Sequence, residues 1–543
     1  MNRFAALLDR MAYEAGRNAK VRLMADYFAS TPDPERGWAL AALTGALSFA
    51  NAKPGLVRAL IMERADPVLF EMSYDYVGDL SETVALMWPR PEGAAAHAPP
   101  LSEIVAGLSA LPKSALARTL AGWLDGLDET GRWALLKLIT GALRVGASAR
   151  LAKTAVASLG GLAADEVELV WPGLKPPYLD LFAWAEGRGE RPRTTDPVPF
   201  RPVMLAHAIE EADFSQLAPA DFMAEWKWDG IRVQAVAARD AAGARALRLY
   251  SRTGEDISPA FPDLLEALDF EGAIDGELLV VRDGRVEPFN VLQQRLNRKA
   301  VTHKMLAEFP AHIRAYDLLA EGGADLRGLP FQARRERLAA FVAAHPCGGR
   351  LDLSPLVPFS SWAALTAARA DPGAFGAGID AAAVEGVMMK RADSLYLPGR
   401  PKGPWWKWKR DPHTVDAVLM YAQRGHGKRS SFYSDYTFGV WTQGEEGDVL
   451  VPVGKAYFGF TDEELKRIDA FVRRFTVNRF GPVREVVHEP DAGLVLEIAF
   501  EGLARSSRHR SGVAMRFPRV ARLRWDKPPR EADRLETLEA LIR

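Results

Sequence analysis

One lysine in the middle of the chain has neighbours that could make it a nucleophile. Residues 225–232 read EWKWDGIR, so Lys227 has an acidic residue two positions away on each side and a tryptophan directly on each side. A free lysine has a pKa of about 10.4, and burial or nearby cations lower this value until the neutral amine can attack an electrophile. The flanking alternation of apolar and polar residues predicts strands, and Asp229-Gly230 is typical of a hairpin turn. The alternative is a surface hairpin in which Lys227 only pairs with Asp229.

Further charged and aromatic residues lie on short predicted strands and turns downstream. In chain order they are Arg252, Glu277, Tyr316, Glu385, Lys390, Lys407 and Lys409. Glu277 is expected at the mouth of an apolar strand, and Lys407 and Lys409 alternate onto one face of another. Two isolated glutamates, Glu277 and Glu385, form a reasonable Mg²⁺ site when a substrate phosphate supplies the other ligands. Each residue alone has an ordinary explanation, such as a hairpin end or an edge strand, but together they favour an active site.

A second candidate site lies in the helical N-terminal region. The pattern predicts that one helix ends near Gly141 and that Ser148 caps the next. The turn between them is bracketed by Gly141 and Gly146, and free backbone N–H groups at such a helix start suit a phosphate. Arg144, Arg150 and Lys153 add positive charge beside this turn. The alternative is an ordinary packing corner with solvated basic residues.

Composition limits the class of protein. The chain has 543 residues, a formal net charge of -1 and one cysteine, Cys347. A single cysteine excludes a disulfide framework and a four-cysteine zinc site, and it fits a reducing cytoplasm. No apolar run reaches the length that spans a membrane, so we expect a cytoplasmic protein without a membrane partner. Because the net charge is near zero, any surface for nucleic acid must be local.

Periodicity and composition predict a multidomain fold with three parts and a linker. We predict an all-α domain over residues 1–186, a linker without apolar periodicity over 187–199, and an α+β domain over 200–412. Residues 413–543 alternate as short strands around one helix, which opens at a capping box from Thr461 to Glu464. This last pattern predicts a small OB-type β-barrel, a fold that binds nucleic acid.

The ordered motifs resemble those of the covalent nucleotidyltransferases, specifically the ATP-dependent DNA ligases. The resemblance begins at Lys227-x-Asp229-Gly230 and ends at residues 514–527, AMRFPRVARLRWDK, which are similar to the last ligase motif. The layout is similar to the three-domain bacterial repair ligases, whose middle domain is the adenylation domain. Tyr316 stands where many relatives carry phenylalanine, and either ring can stack on a base. Arg400 is the nearest match to an arginine that some ligases carry before the tryptophan-lysine strand.

The resemblance implies a three-step reaction. Lys227 would take AMP from ATP, the AMP would pass to the 5′-phosphate of a DNA nick, and the 3′-hydroxyl would displace it. Glu225 would accept a hydrogen bond from the adenine amino group, and Tyr316 would stack on its face. Glu277 and Glu385 would hold Mg²⁺ or Mn²⁺.

The same resemblance assigns the cations of the chain to phosphates and DNA. Arg232 and Arg252 would hold the ribose or the nick phosphate. The α-phosphate would be contacted by Lys390, Lys407 and Lys409, with Arg400 nearby. The pyrophosphate would be oriented by Arg516, Arg519, Arg524 and Lys527. The duplex would be contacted by the N-terminal domain through Gly141, Arg144, Gly146, Arg150 and Lys153.

These assignments predict a DNA ligase (ATP) that encircles nicked double-stranded DNA as a monomer, in DNA repair, on the nucleoid of a bacterium. An RNA ligase or mRNA-capping-type nucleotidyltransferase shares the catalytic core but leaves the helical N-terminal region unexplained. An NAD-dependent ligase would usually carry a cysteine-rich zinc module, which one cysteine cannot build. A nick-binding repair scaffold that has lost catalysis is the alternative from a different class.

Overall fold

The computed structural model describes residues 1–543 except 78, 90–97, 142, 193–195, 241, 297–300, 425–431, 446, 481–482, 507–508 and 543. Three residues of the predicted linker therefore lie outside the described residues. No described helix is long and apolar enough to cross a bilayer.

The N-terminal part is helical, as the periodicity predicts. Apolar side chains from Met1 to Ala185 pack into one core. Helix α9 ends at Thr140, with Gly141 left-handed after it, and the Ser148 side chain accepts a hydrogen bond from Leu151 N at the start of α10. Both predicted helix boundaries are confirmed. The helices are α1 (Asn2–Tyr13), α2 (Arg17–Ser30), α3 (Glu35–Leu43), α4 (Pro54–Met62), α5 (Pro67–Val77), α6 (Leu80–Met87), α7 (Leu101–Ala110), α8 (Lys113–Gly126), α9 (Glu129–Thr140), α10 (Ala149–Ala157), α11 (Ala164–Val170) and α12 (Leu179–Ala185).

The middle part contains two sheets and five helices among the described residues. The strands are β1 (His207–Ala208), β2 (Phe222–Trp228), β3 (Ile231–Arg239), β4 (Arg245–Ser251), β5 (Gly272–Arg282), β6 (Arg285–Val286), β7 (Ala311–Glu321), β8 (Ala324–Asp325), β9 (Leu351–Leu353), β10 (Leu356–Val357), β11 (Val384–Arg391) and β12 (Trp405–Lys409). The helices are α13 (Pro262–Ala267), α14 (Phe289–Leu292), α15 (His303–Glu308), α16 (Phe331–Ala344) and α17 (Trp362–Ala370). One sheet has the order β1-β12-β11-β2-β10, and the other has β4-β3-β5-β7-β8 with β6 on β5 and β9 on β7.

The chain passes from one sheet to the other at Asp229-Gly230. Strand β2 pairs with β10 and β11, whereas β3 pairs with β4 and β5. The prediction of a hairpin turn here is therefore wrong. A Cβ on Gly230 would lie 2.5 Å from Leu278 O and 2.8 Å from Glu277 Cγ, so the crossing requires a residue without a side chain. This crossing puts Lys227 and Arg232 on facing sheets.

In its described residues, the C-terminal part contains a seven-stranded sheet, a two-stranded sheet of β19 and β20, and two α-helices where the sequence predicted one. Its strands are β13 (His413–Arg424), β14 (Tyr433–Gln443), β15 (Asp448–Ala456), β16 (Thr476–Phe480), β17 (Val483–Val486), β18 (Val495–Phe500), β19 (Gly502–Arg505), β20 (Val513–Arg516) and β21 (Arg519–Arg524), and its helices are α18 (Asp462–Arg474) and α19 (Leu535–Glu539). The Thr461–Glu464 capping box is present at α18, as predicted. Strands β15, β14, β13, β18 and β21 follow one another, and no ladder among the described residues joins β21 back to β15. These strands form a half-barrel, which is consistent with the predicted OB-type domain, although the described residues do not close it into a full barrel.

Candidate active site

Lys227 lies in a row of residues that are in register across three neighbouring strands. It pairs with Gly386 on β11, and Gly386 pairs with Lys409 on β12. Gly386 has φ 151°, and a Cβ there would lie 2.2 Å from Trp408 O, so only glycine fits. The register shifts between Val384 and Gly386, which makes Glu385 the extra residue of a β-bulge. The bulge brings the Glu385 carboxylate between the two lysines.

Glu385 forms ion pairs with both lysines of this row. One of its oxygens contacts Lys227 Nζ, and the other lies 3.3 Å from Lys409 Nζ. Burial opposes ionisation of Glu385, but the positive charges of Lys227 and Lys409 prevail and lower its pKa. The predicted nucleophile and a predicted metal ligand are therefore in direct contact.

The opposite wall comes from the second sheet. Arg232 on β3 pairs with Glu277 on β5, and Tyr316 projects from β7. Glu277 lies in the middle of an eleven-residue strand, not at a strand mouth as expected. Burial raises its pKa to about 8; Lys227 opposes this rise, and the negative charge of Glu385 adds to it.

Arg232 is held in a buried polar network behind this wall. Its guanidinium donates to Asp275, to Met204 O at 2.6 Å and to the Tyr396 hydroxyl at 2.9 Å. Asp275 is fully buried. Arg232 is thus a fixed group at the cavity edge, while Arg252, which also lines the cavity, is exposed.

One end of the cavity has a second set of charges around Glu225, whose side chain is 2% exposed. Arg335 Nη1 lies 3.0 Å from one of its oxygens, and Lys390 Nζ lies 2.7 Å from the other. Lys390 Nζ also lies 4.9 Å from the Tyr316 ring centroid. Lys390 is thus grouped with the two residues predicted to hold adenine, and not with Lys227. The sequence analysis missed Arg335; its only signal was a second arginine next to Arg334, on the segment that forms α16.

One cavity of about 410 Å³ lies between the two sheets. Its lining includes Glu225, Lys227, Arg232, Arg252, Glu277, Tyr316, Glu385 and Lys390. Lys407, Lys409 and Arg400 line it beside Lys227. Burial lowers the pKa of Lys407, and the positive charges of Arg400, Lys227 and Lys409 lower it further. Such a concentration of cations suits a polyphosphate.

The C-terminal part reaches into the same cavity. Arg516 forms an ion pair with Asp229 and lies 4.5 Å from the Phe289 ring centroid. Glu501, which the sequence analysis did not single out, also lines the cavity and binds Lys409.

The other predicted C-terminal cations lie elsewhere. Arg519, Arg524 and Lys527 are not among the described residues that line the cavity. Arg524 and Lys527 instead share Asp416, at 3.0 Å and 2.7 Å. Sequence spacing could not reveal this partner, because Asp416 is more than a hundred residues upstream.

The predicted N-terminal turn is built as a left-handed corner. Gly141 has φ 75° and Gly146 has φ 66°, and a Cβ on Gly146 would lie 2.3 Å from Lys20 Nζ. Arg144 is exposed, with φ 51°. The two glycines therefore have a structural explanation, and Arg144 presents its charge to solvent.

Arg150 and Lys153 are engaged within the protein. Lys153 is buried, and its Nζ lies 2.8 Å from Glu168. Burial lowers its pKa, and the charge of Glu168 partly offsets this effect. Arg150 pairs with Asp165 at 2.7 Å, and a Cβ on Gly399 would lie 2.8 Å from its guanidinium carbon. Lys153 thus offers no exposed charge to DNA, which corrects the expectation for this residue.

The carboxylates fit a hard divalent cation that is shared with substrate. Among the described residues, no group of three or more His, Cys, Asp and Glu side chains could hold a metal ion alone. Glu277 and Glu385 both line the cavity, close enough for the charge of Glu385 to raise the pKa of Glu277. Mg²⁺ is commonly bound by one or two carboxylates together with substrate phosphates and water. Two carboxylates beside a polyphosphate cavity match that donor set.

The fold and the site together define a class of protein, an enzyme whose candidate nucleophile is a lysine. Its cavity lies between two sheets, carries cations that suit a polyphosphate, and is also lined by residues of the C-terminal part. Residues 203–409 match the model of the ATP dependent DNA ligase domain, and residues 429–527 match the ATP dependent DNA ligase C terminal region.

Relatives that cover most or all of the chain give the same result. A probable DNA ligase of Koribacter versatilis is 32% identical over 572 residues, covering 100% of this chain and 96% of that protein. A DNA ligase of Korarchaeum cryptofilum is 30% identical over 422 residues, covering 76% of this chain and 72% of that protein. A solved structure titled Pmar-Lig_PreS3 has a TM-score of 0.59 at 13% identity, covering 96% of this chain and 99% of that one, which shows a shared fold. The chain belongs to the ATP-dependent DNA ligase family.

Nick sealing through an enzyme-adenylate intermediate is the reaction of this family. The chain is accordingly an enzyme, a DNA ligase that uses ATP. The family assignment decides against the RNA ligase and capping-type alternatives.

Proposed function

We propose that Lys227 is the residue of this ligase that carries AMP and that the enzyme seals nicks in duplex DNA. The observation that carries this proposal is the position of Lys227 in a cavity. Glu385 contacts Lys227 and also binds Lys409, and Glu277 lies on the facing wall. In the first step the Lys227 amine loses its proton to solvent. Its nitrogen then bonds to the α-phosphorus of ATP while the bond to the bridging oxygen breaks and pyrophosphate leaves; the nitrogen also gives up a second proton to solvent, which leaves AMP joined to Lys227 through an N–P bond.

The surrounding cations act by position and charge. Lys407 and Lys409 lie on β12, which β11 separates from the strand of Lys227, β2. Arg400 adds positive charge beside them. We propose that they bind the α-phosphate and the groups next to it, because phosphoryl transfer depends mainly on positioning and charge neutralisation. Arg516, which approaches from the C-terminal part, would orient the leaving pyrophosphate. Participation of Arg524 and Lys527 would require their release from Asp416.

Glu277 and Glu385 would hold a divalent cation, Mg²⁺ or Mn²⁺. The bound cation would neutralise phosphate charge, which is its usual contribution to phosphoryl transfer. Because metal ligands must be deprotonated, Glu277 would have to lose a proton in order to bind the cation.

Adenine recognition is proposed at the Glu225 end of the cavity. Arg335 and Lys390 hold the Glu225 side chain in place, and Glu225 would accept a hydrogen bond from the adenine amino group. Tyr316 would stack on the ring. We propose a base-side role for Lys390 in place of the α-phosphate contact, since its ammonium group is within hydrogen-bond distance of Glu225.

The DNA partner is proposed to be a nicked duplex encircled by one protein chain. The exposed Arg144 and the backbone at Gly141 and Gly146 would contact the duplex, since backbone N–H groups and arginine are common phosphate ligands. Arg519 and Arg252 are further candidates for phosphate contacts. We further propose that the enzyme acts in DNA repair. We also propose that it acts in the cytoplasm, because a chain with a single cysteine fits a reducing compartment.

The proposal is tested with a duplex that contains one nick and carries a labelled 5′-phosphate at that nick. With ATP and Mg²⁺ the label should move into a full-length strand, and NAD or GTP should not replace ATP. Joining with NAD alone, or joining only of an RNA substrate, would overturn this proposal.

A further inference from the structure

A two-stranded ribbon of the C-terminal part carries two oppositely charged side chains into the cavity. Strands β19 and β20 pair with each other, and Gly502 lies opposite Arg516. Just before this pair, Glu501 N donates a hydrogen bond to Arg516 O at 2.9 Å. The side chains of Glu501 and Arg516 therefore project from the same end of this ribbon.

The two side chains bind partners of opposite charge in the middle part. Lys409 Nζ lies 2.9 Å and 3.1 Å from the two Glu501 oxygens. Arg516 forms its ion pair with Asp229. Lys409 is in register with Lys227 two strands away, and Asp229 follows directly after the end of the strand that carries Lys227. Both ion pairs therefore involve residues close to the nucleophile in the sheet or in the chain.

We propose that Glu501 is a positioning residue for self-adenylylation. Glu501 and Arg516 each form an ion pair with the middle part, and the two ion pairs have opposite polarity. Together these ion pairs, here named the clasp, hold the C-terminal part closed and fix Lys409 beside Lys227. The clasp consists of Glu501–Lys409 and Arg516–Asp229. The inference rests on the roles proposed above for Lys409 and Arg516. Two ion pairs of crossed polarity fix the orientation of the ribbon, because a reversed or shifted ribbon would set like charges against each other.

The clasp also accounts for how Lys409 is shared. Glu385 and Glu501 both bind its ammonium group, which has three donors. Closure therefore adds a second carboxylate to Lys409 and restrains its side chain between the two parts of the protein. Opening for DNA would break both ion pairs at once and leave Lys409 with Glu385.

The test compares Glu501→Gln with a matched control, Glu497→Gln. Glu497 is an acid on the neighbouring strand β18 whose partner, Arg522 at 2.8 Å, belongs to the same part of the protein. Self-adenylylation of the full chain at saturating ATP should fall about fivefold in Glu501→Gln, as expected for loss of a partly exposed ion pair. Sealing of a nick that already carries 5′-AMP should stay unchanged, and Glu497→Gln should match the unaltered protein in both reactions.

A distance measurement tests closure directly. Dyes on Lys304→Cys and Asp491→Cys report the separation of the middle and C-terminal parts, because both side chains are exposed and Cys347 is buried. Glu501→Gln should increase the open fraction, whereas Glu501→Asp, which keeps the charge, should fall between it and the unaltered protein. This readout needs no catalytic assignment, so it can fail or succeed independently of the roles proposed for Lys227 and Arg516.

Two results would overturn the clasp. An unchanged open fraction in Glu501→Gln would mean that Glu501 does not hold the parts together. Faster adenylylation with a lower KM for ATP would mean that Glu501 competes with phosphate for Lys409.

Discussion

Replacing Arg516 with alanine separates two roles that this residue could have. Its ion pair with Asp229 joins side chains that are 34% and 23% exposed. A pair this accessible contributes at most about 1 kcal/mol, so its loss as a closing contact alone would slow adenylylation about fivefold. A cation that binds phosphate charge in the transition state is worth far more, of the order of 10³ in rate. We predict the larger loss for Arg516→Ala.

The assay is single-turnover transfer of AMP from ATP to the protein, with sealing of a pre-adenylylated nick measured in parallel. No pyrophosphate is present in the second reaction, so Arg516→Ala should seal that nick at close to the normal rate. Arg522→Ala is the matched control, since Arg522 pairs with Glu497 and is 61% exposed. A loss of only about fivefold in adenylylation would mean that Arg516 acts only as an ion-pair contact that holds the C-terminal part closed. Equal losses in both reactions would refute the pyrophosphate role.

Three further predictions follow from single side chains. The pKa of Glu277 is raised from 4.5 to about 8. Between these pH values the folded protein keeps a proton that the unfolded chain has lost, so the free energy of unfolding falls as the pH rises. In metal-free buffer, Glu277→Gln should therefore raise the melting temperature more at pH 8.5 than at pH 5.5, and an equal difference at both pH values would contradict the shift. Glu225→Gln leaves Arg335 and Lys390 without their carboxylate, so adenylylation should lose discrimination between ATP and GTP, measured as the ratio of kcat/KM values; an unchanged ratio would remove Glu225 from base recognition. Arg144→Ala should lower the slope of log affinity against log salt for nicked duplex by about 0.9, and an unchanged slope would mean that Arg144 makes no phosphate contact.

Local pattern was sufficient to predict many features of the site. Alternation predicted that Lys407 and Lys409 share a face, and they do, because β12 is a regular strand. Capping residues predicted the helix boundaries at Gly141 and Ser148, since these depend on the residues at the boundary itself. The order of strand-borne charges predicted the cavity, whose lining includes Lys227, Glu277 and Glu385 among other predicted residues.

Features that depend on distant partners could not be predicted. A dipeptide such as Asp229-Gly230 permits a turn but does not determine which sheet the next strand joins. Lys153 looks solvated in sequence, and only its packing against Glu168 buries it. The partners of Lys527 and Lys390 are likewise set by tertiary packing, with Asp416 and Glu225 far from them along the chain.

The central claim is that Lys227 receives AMP, and covalent labelling tests it most directly. The full chain is incubated with α-labelled ATP and Mg²⁺, resolved on a denaturing gel and then digested to map the labelled peptide. The label should be on Lys227, and it should disappear in Lys227→Ala and also in Lys227→Arg, because a guanidinium group does not lose its proton in a protein. Label on a different residue, or label that persists in a folded Lys227→Ala variant, would contradict the account.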